Sequence, residues 1–270
     1  MAVGLHPPRN ILPIAGVRLS VAEAGIRYAK RRDLTLIHLA EGSQVAGVFT
    51  RNRFCAAPVL VAQRHLADGS GVRALVINTG NANAGTGAAG LQAAEASCRV
   101  VAEQLGCPPR AVLPFSTGVI GEAVALAEKI AAVLPTMAGQ LAENQWEAAA
   151  AAIMTTDTIA KACSRQVELD GVTITVTGMA KGSGMIRPDM ATMLAYIATD
   201  APLHGTALQQ CLQEAMAQSF NRITVDGDTS TNDACILMAT GQAALPPIAA
   251  ATDPSYVSLR DAITAVAQWL

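Results

Sequence analysis

The sequence predicts a fold that mixes helices and strands, and three observations carry that expectation. Short apolar runs of strand length, such as Leu34–Leu39 and Val45–Thr50, are bounded by turn residues. Val172–Thr177 alternates apolar and hydroxyl side chains with the period of two that a strand imposes. Alanine-rich stretches such as Leu91–Leu105 contain no glycine or proline and read as helices.

Taken in order, residues 1–16 form a proline-containing irregular lead-in, and strand character begins at Val17. Leu34–Leu39 and Val45–Thr50 flank the turn residues Glu41, Gly42, Ser43 and Gln44, which predicts a hairpin. The charge run Lys30-Arg31-Arg32 reads as a solvated surface. Arg73–Asn78 reads as a buried strand, Thr79–Gly90 as a glycine-rich loop and Leu91–Leu105 as a helix. Gly85, Gly87 and Gly90 fit the spacing of a dinucleotide-binding loop. They stand too far from the strand, however, and Glu103 lies on the helix rather than at the end of a second strand. Ala111–Phe115 is a short strand running into Ser116, Thr117 and Gly118. Helices follow over Ala123–Leu134 and Ala138–Ile153, separated by Pro135. The hydroxyl-rich Met154–Thr158 comes next. Arg165–Leu169 and Val172–Gly178 form a hairpin across Asp170-Gly171, its second strand half-exposed. Thr206–Phe220 is a helix, Cys235–Gly241 a strand, and Ser255–Leu270 a helix.

Composition narrows the function classes. At 270 residues the chain is long enough for one large or two small domains with a sizeable core. Charged residues are 15% and the net charge is −2, which argues against a nucleic-acid footprint or a polybasic membrane surface. Aromatics at 3% leave little for base stacking. No apolar run reaches membrane-spanning length, and Met1–Leu12 has no secretory pattern. Cys55, Cys98, Cys107, Cys163, Cys211 and Cys235 show no paired spacing, so they read as reduced, buried residues of a cytoplasmic protein. The histidines do not cluster with them, which argues against zinc. Asp226, Asp228 and Asp233 suggest calcium, but the spacing lacks the terminal glutamate of a calcium-binding loop.

Two places carry chemistry. From Gly178 a loop rich in glycine, with Pro188, gives way to the apolar run Met190–Ala198, and Thr192 sits at the change with Lys181 upstream. A hydroxyl so placed suggests a nucleophile. Its base is its own α-amine if the chain is cut just before it. The alternative is an ordinary strand threonine. Acyl transfer to such a hydroxyl also needs donors fixed around an oxyanion, and the Thr117 hydroxyl beside the Gly118 amide supplies that type of group. The alternative there is a strand-to-helix turn capped by Ser116 or Thr117.

The stretch Met-Ala-Thr-Met-Leu at Met190–Leu194 resembles the signature of the ornithine acetyltransferase family, the bifunctional glutamate N-acetyltransferases/amino-acid acetyltransferases. The resemblance extends to Ala46–Val59, Asn78–Gly87, Ser116–Gly118 and Met154–Thr158, although Ala160-Lys161 stands where the family often has Pro-Lys. It implies an α+β fold, an αββα sandwich shared with self-processing aminopeptidases. It also implies self-cleavage between Ala191 and Thr192, giving an α segment (1–191) and a β segment (192–270) that assemble as a dimer of αβ pairs, a heterotetramer. In that frame Thr192 carries the acetyl group and Thr117 and Gly118 form the oxyanion hole. Thr158, Lys181 and Thr192 contact substrate. Acetyl passes from N-acetylornithine, or from acetyl-CoA, to glutamate, releasing ornithine and N-acetylglutamate in arginine biosynthesis without metal or organic cofactor. The family's C-terminal substrate-binding block is not within these residues. A truncated non-catalytic copy and a self-processing aminopeptidase are the alternative readings.

Overall fold

A computed structural model describes residues 7–187 and 193–270. It consists of four stacked layers, helices on each side of two β-sheets. The first sheet is four-stranded, in the order β1 (Val17–Ala22), β2 (Leu34–Leu39), β4 (Ala74–Asn81), β5 (Val112–Val119). The second is five-stranded: β3 (Gln44–Phe49), β9 (Ala234–Ala239), β8 (Leu194–Thr199), β7 (Val172–Lys181), β6 (Lys161–Leu169).

Period-two alternation builds the layers, because successive strand side chains point to opposite faces. Leu194, Tyr196, Ile236 and Met238 meet Leu19, Ile37, Leu75 and Phe115 of the first sheet in the central core. Their neighbours Ala195, Ile197, Cys235 and Leu237 point the other way, onto α5 (Gly205–Gln218) and α6 (Tyr256–Trp269). Leu34, Leu36, Val76 and Val112 likewise face α2 (Gly87–Leu105) and α3 (Leu126–Gly139). Two crossovers, β4–α2–β5 and β8–α5–β9, return the chain to parallel pairing. Across the inter-sheet core Phe115 and Tyr196 make an edge-to-face contact at 5.4 Å. Such a contact contributes about 0.5–1.5 kcal/mol beyond area burial. It fixes β5 two residues before Thr117. No helix among the described residues is long and apolar enough to cross a membrane.

Most predicted elements are present, and the hairpin at Asp170-Gly171 forms with both turn residues at positive φ (50° and 79°). Six expectations are corrected. β2 and β3 are not a hairpin. Both edges of β2 are taken by β1 and β4, and after a turn closed by Ser43 N–H to the Ala40 carbonyl the chain crosses to the other sheet. The strand at Ala74 does not end at Asn78 but continues to Asn81, paired with an equally extended β5. Pro135 does not separate a pair of helices. It lies exposed within α3, and Leu134 and Met137 on either side stay buried, so packing carries the helix past the lost N–H. The second expected helix shrinks to α4 (Trp146–Ala152), because Ala142 is captured by reciprocal backbone bonds to Leu19 of β1. β7 is buried from Ile174 onward rather than half-exposed. Ile174 and Val176 join the core beneath α5 and α6, while the Thr177 hydroxyl donates to the carbonyl of Leu12 in the lead-in. β7 also continues through Gly178, where a loop was expected; α6 packs so closely there that a Cβ would lie 2.8 Å from Val266.

Candidate active site

The far ends of β5 and β7, from different sheets, come together at one cavity. Gly118 lies opposite Gly80 at the irregular end of the β4–β5 ladder. Its φ is +138°, and a Cβ there would sit 2.3 Å from the Gly80 carbonyl carbon and 2.5 Å from the Asn81 nitrogen. Only glycine allows the two backbones to run this close. Thr117 and Gly118 therefore belong to a strand end, which removes the helix-cap alternative: α3 starts only at Leu126.

Lys181, the last residue of β7, is 5% exposed and donates from Nζ to Thr117 Oγ1 at 3.3 Å. An ammonium can only donate, so the Thr117 hydroxyl accepts here and its own hydrogen is free for another acceptor. Burial lowers the Lys181 pKa, helped by Lys161 and opposed by Asp157 and Asp233.

A second set of contacts holds Lys181 in place. Asp157 Oδ1 accepts from Lys161 Nζ at 2.6 Å and from the Gly182 amide at 2.7 Å, while Oδ2 accepts from the Thr155 amide at 3.3 Å. Lys161 also donates to the Gly182 carbonyl, and the hydroxyls of Thr156 and Ser183 lie 2.7 Å apart. The hydroxyl-rich loop and the segment after β7 are thus tied together. Burial alone raises the Asp157 pKa, but the bonds from Lys161 and Gly182 and the charges of Lys161 and Lys181 bring it below the ordinary value.

The third side comes from the residues before β9. Asn232 donates to the carbonyls of Ala82 and Ser116 at 2.7 and 2.9 Å, joining the ends of β4 and β5. Asp233 is 1% exposed. Its Oδ1 accepts the Met193 amide at 3.0 Å, and its Oδ2 has no hydrogen-bond partner among the described residues. Burial pushes its pKa up to about 7, against the Ser230 hydroxyl, the Met193 amide and the Lys181 charge. Asp226 accepts the amides of Met185, Ile186 and Asp228, and Asp233 that of Met193, so two of the three acids that suggested calcium are each taken up by backbone amides.

The cavity encloses about 500 Å³, and Thr117, Gly118, Lys181, Thr155, Thr156 and Arg31 belong to its wall. Of the residues singled out in the sequence, Thr117, Gly118 and Lys181 are brought together. Thr158 is exposed and outside the wall, where Thr155 and Thr156 of the same loop stand instead. Ala191 and Thr192 lie outside the described residues; the neighbouring Met193 is held by Asp233 and by the Ala234 amide. Asp157, Lys161 and Asn232 were not picked out as site residues, and Asp233 only as a candidate calcium ligand. Their one sequence signal is an abundance of polar residues in two segments between apolar strands.

A model of the ArgJ family matches residues 18–270. The chain belongs to the ArgJ family. It is 54% identical over 263 residues to the arginine biosynthesis bifunctional protein ArgJ of Pseudomonas fluorescens. That match covers 97% of this chain but 64% of the relative, so the chain spans less than two thirds of the relative's length. Ornithine acetyltransferase from Mycobacterium tuberculosis, solved in complex with ornithine, is 34% identical with a TM-score of 0.56, covering 67% of this chain and 93% of that one. An L-aminopeptidase D-Ala-esterase/amidase from Ochrobactrum anthropi shares the fold alone, at 13% identity and a TM-score of 0.53 over 97% of this chain and 87% of that one. That enzyme was described as a variant of the Ntn hydrolase fold, so the α+β sandwich expected from the family signature is the architecture found.

Proposed function

We propose that this chain carries the acyl-transfer centre of an arginine-biosynthetic acetyltransferase. In this reading acetyl moves from N-acetylornithine, or from acetyl-CoA, to glutamate through an ester on Thr192. The observation that carries it is the contact of Lys181 Nζ with Thr117 Oγ1 beside the side-chain-free backbone of Gly118, at the wall of the cavity.

Two stages follow. The Thr192 hydroxyl attacks the Ala191 carbonyl, the peptide C–N bond breaks as its nitrogen takes a proton, and an ester joins Ala191 to Thr192 Oγ. Water hydrolyses that ester, leaving a carboxylate on Ala191 and a free amine on Thr192. That amine then serves as base for its own hydroxyl, which takes the acetyl group as ornithine departs; the amine of glutamate removes it. Thr117 and Gly118 donate to the oxyanion at each tetrahedral step, where losing one donor typically costs about 3 kcal/mol. Lys181 orients Thr117 and meets substrate, with Thr155 and Thr156 on the cavity wall and Thr158 at the exposed end of their loop. This chemistry calls for no metal or organic cofactor.

Two features support the cut. The tuberculosis enzyme's solved chain, matched over 93% of its length, takes up 67% of this one, close to the share that residues 1–191 make of it. The second sheet also places β8 and β9, from the segment after the proposed cut, between β3 and β7 from the segment before it. Ladder bonds on both sides keep the halves together as the αβ pair, two of which form the proposed heterotetramer.

The test is turnover by the purified protein. N-acetylornithine and glutamate should yield N-acetylglutamate and ornithine, and Thr192→Ala should abolish that transfer. Peptide hydrolysis without acetyl transfer would instead identify an aminopeptidase, and neither activity a non-catalytic chain.

A further inference from the structure

Of the charge run Lys30-Arg31-Arg32, which reads in the sequence as a solvated surface, Lys30 and Arg32 are exposed as expected. Arg31 is not: it is half-buried and belongs to the cavity wall. The loop between β1 and β2 turns it inward. Buried Asp33 accepts the amides of Ala24 and Ile26 at 2.7 and 2.6 Å, drawing the loop back on itself, and Lys30 takes a positive φ of 60° just before Arg31. The guanidinium then donates to the Met154 carbonyl at 2.5 Å, next to Thr155 and Thr156.

The other cations nearby have acidic partners. Arg27 is paired with Glu122, Lys161 with Asp157, and Lys181 lies in the fields of Asp157 and Asp233. Arg31 has no carboxylate partner among the described residues, and only one of its five N–H groups is committed to Met154. A planar donor fork of this kind on a cavity wall suits a carboxylate.

We propose that Arg31 anchors the α-carboxylate of the amino acid that enters this cavity. This rests on the reading of the cavity as an amino-acid acetyl-transfer site. The choice between carboxylates follows from the two amino acids involved. Ornithine has a cationic side chain and glutamate an anionic one, so a fixed cation that met the side chain would reject ornithine. The α-carboxylate is the group both share.

The test compares L-ornithine with 1,4-diaminobutane, the same molecule without its carboxylate, by calorimetric titration of the wild-type protein, Arg31→Gln and Arg31→Lys. The wild type is expected to prefer ornithine by roughly 10- to 100-fold, the range for a hydrogen bond to a charged group. Arg31→Gln should remove most of that preference by weakening ornithine alone, and Arg31→Lys, which keeps a charge but not the fork, should fall between. If Arg31→Gln weakens both ligands equally, or both variants keep the wild-type preference, Arg31 is not the anchor although the cavity still takes amino acids. A wild type that binds neither ligand, or both equally well, overturns the anchor. Binding neither also removes the amino-acid reading of the cavity.

Discussion

Replacing Gly118 with alanine tests how closely β4 and β5 approach at the site. The added Cβ would stand 2.3, 2.5 and 2.7 Å from Gly80 C, Asn81 N and Gly80 Cα, all backbone atoms of the facing strand. No side chain can rotate to relieve the clash, so the strand itself must shift. Overpacking of this kind costs about 1–3 kcal/mol, and holding a non-glycine residue at a φ of +138° adds about 1–3 kcal/mol. The expected loss is therefore about 2–6 kcal/mol, a large share of the about 5–15 kcal/mol that holds most domains folded. With a urea m-value of about 2–3 kcal/mol/M, the unfolding midpoint should drop by roughly 1–3 M. Gly87→Ala is the control. Gly87 also has positive φ, +58°, but nothing lies within 4 Å of where its Cβ would stand, so only backbone strain of about 1–2 kcal/mol remains. If the two variants unfold within about 0.5 M of each other, the close approach of the strands is not what requires glycine at 118.

Two further predictions concern the buried acids. Asp157→Asn removes the carboxylate that holds Lys161 and the Gly182 amide. Breaking a buried pair from one side costs about 3–5 kcal/mol; with Lys161 at 25% side-chain exposure, about 2–4 kcal/mol is expected in chemical denaturation. Because the folded-state pKa of Asp157 is lowered, its contribution is present above the unfolded carboxylate value of about 3.9 and is lost as pH falls through the folded value. The gap between wild type and variant should narrow in acid, and a pH-independent gap would rule the charge out. Asp233 has the opposite sign: its pKa is raised to about 7, so the folded state keeps a proton that the unfolded chain has already released. The wild type should lose stability as pH rises from about 4 to 7, by at most on the order of 4 kcal/mol. Asp233→Asn, neutral throughout, should lack that decline and exceed the wild type at pH 8. Parallel stability curves for the two proteins would contradict the assignment.

The sequence made most strands legible as short apolar runs bounded by turn residues, but not their faces, because Leu194–Thr199 and Ala234–Ala239 are largely apolar and buried on both sides. It did not show which strands share a sheet. Val45–Thr50 looks like the partner of Leu34–Leu39, but β1 and β4 take both β2 edges and it pairs with β9 instead. Pro135 reads as a break because local propensity is visible in sequence and the burial of Leu134 and Met137 is not. At the site, Thr117, Gly118 and Lys181 could be named because a motif marks them. Asp157 and Asp233 could not, since their role is to hold the backbone amides of Gly182 and Met193, and no side-chain pattern records a backbone partner distant in sequence. Arg31 was misread for a related reason: a charge run looks the same whether all its members face water or one turns inward.

Intact-mass measurement of the purified protein, followed by peptide mapping after exposure to N-acetylornithine, tests the proposed chemistry most directly. Two polypeptides are expected, the second beginning at Thr192, with an acetyl group recovered on that residue. One unbroken polypeptide, with Thr192 unmodified, would mean that this threonine is not the acyl carrier.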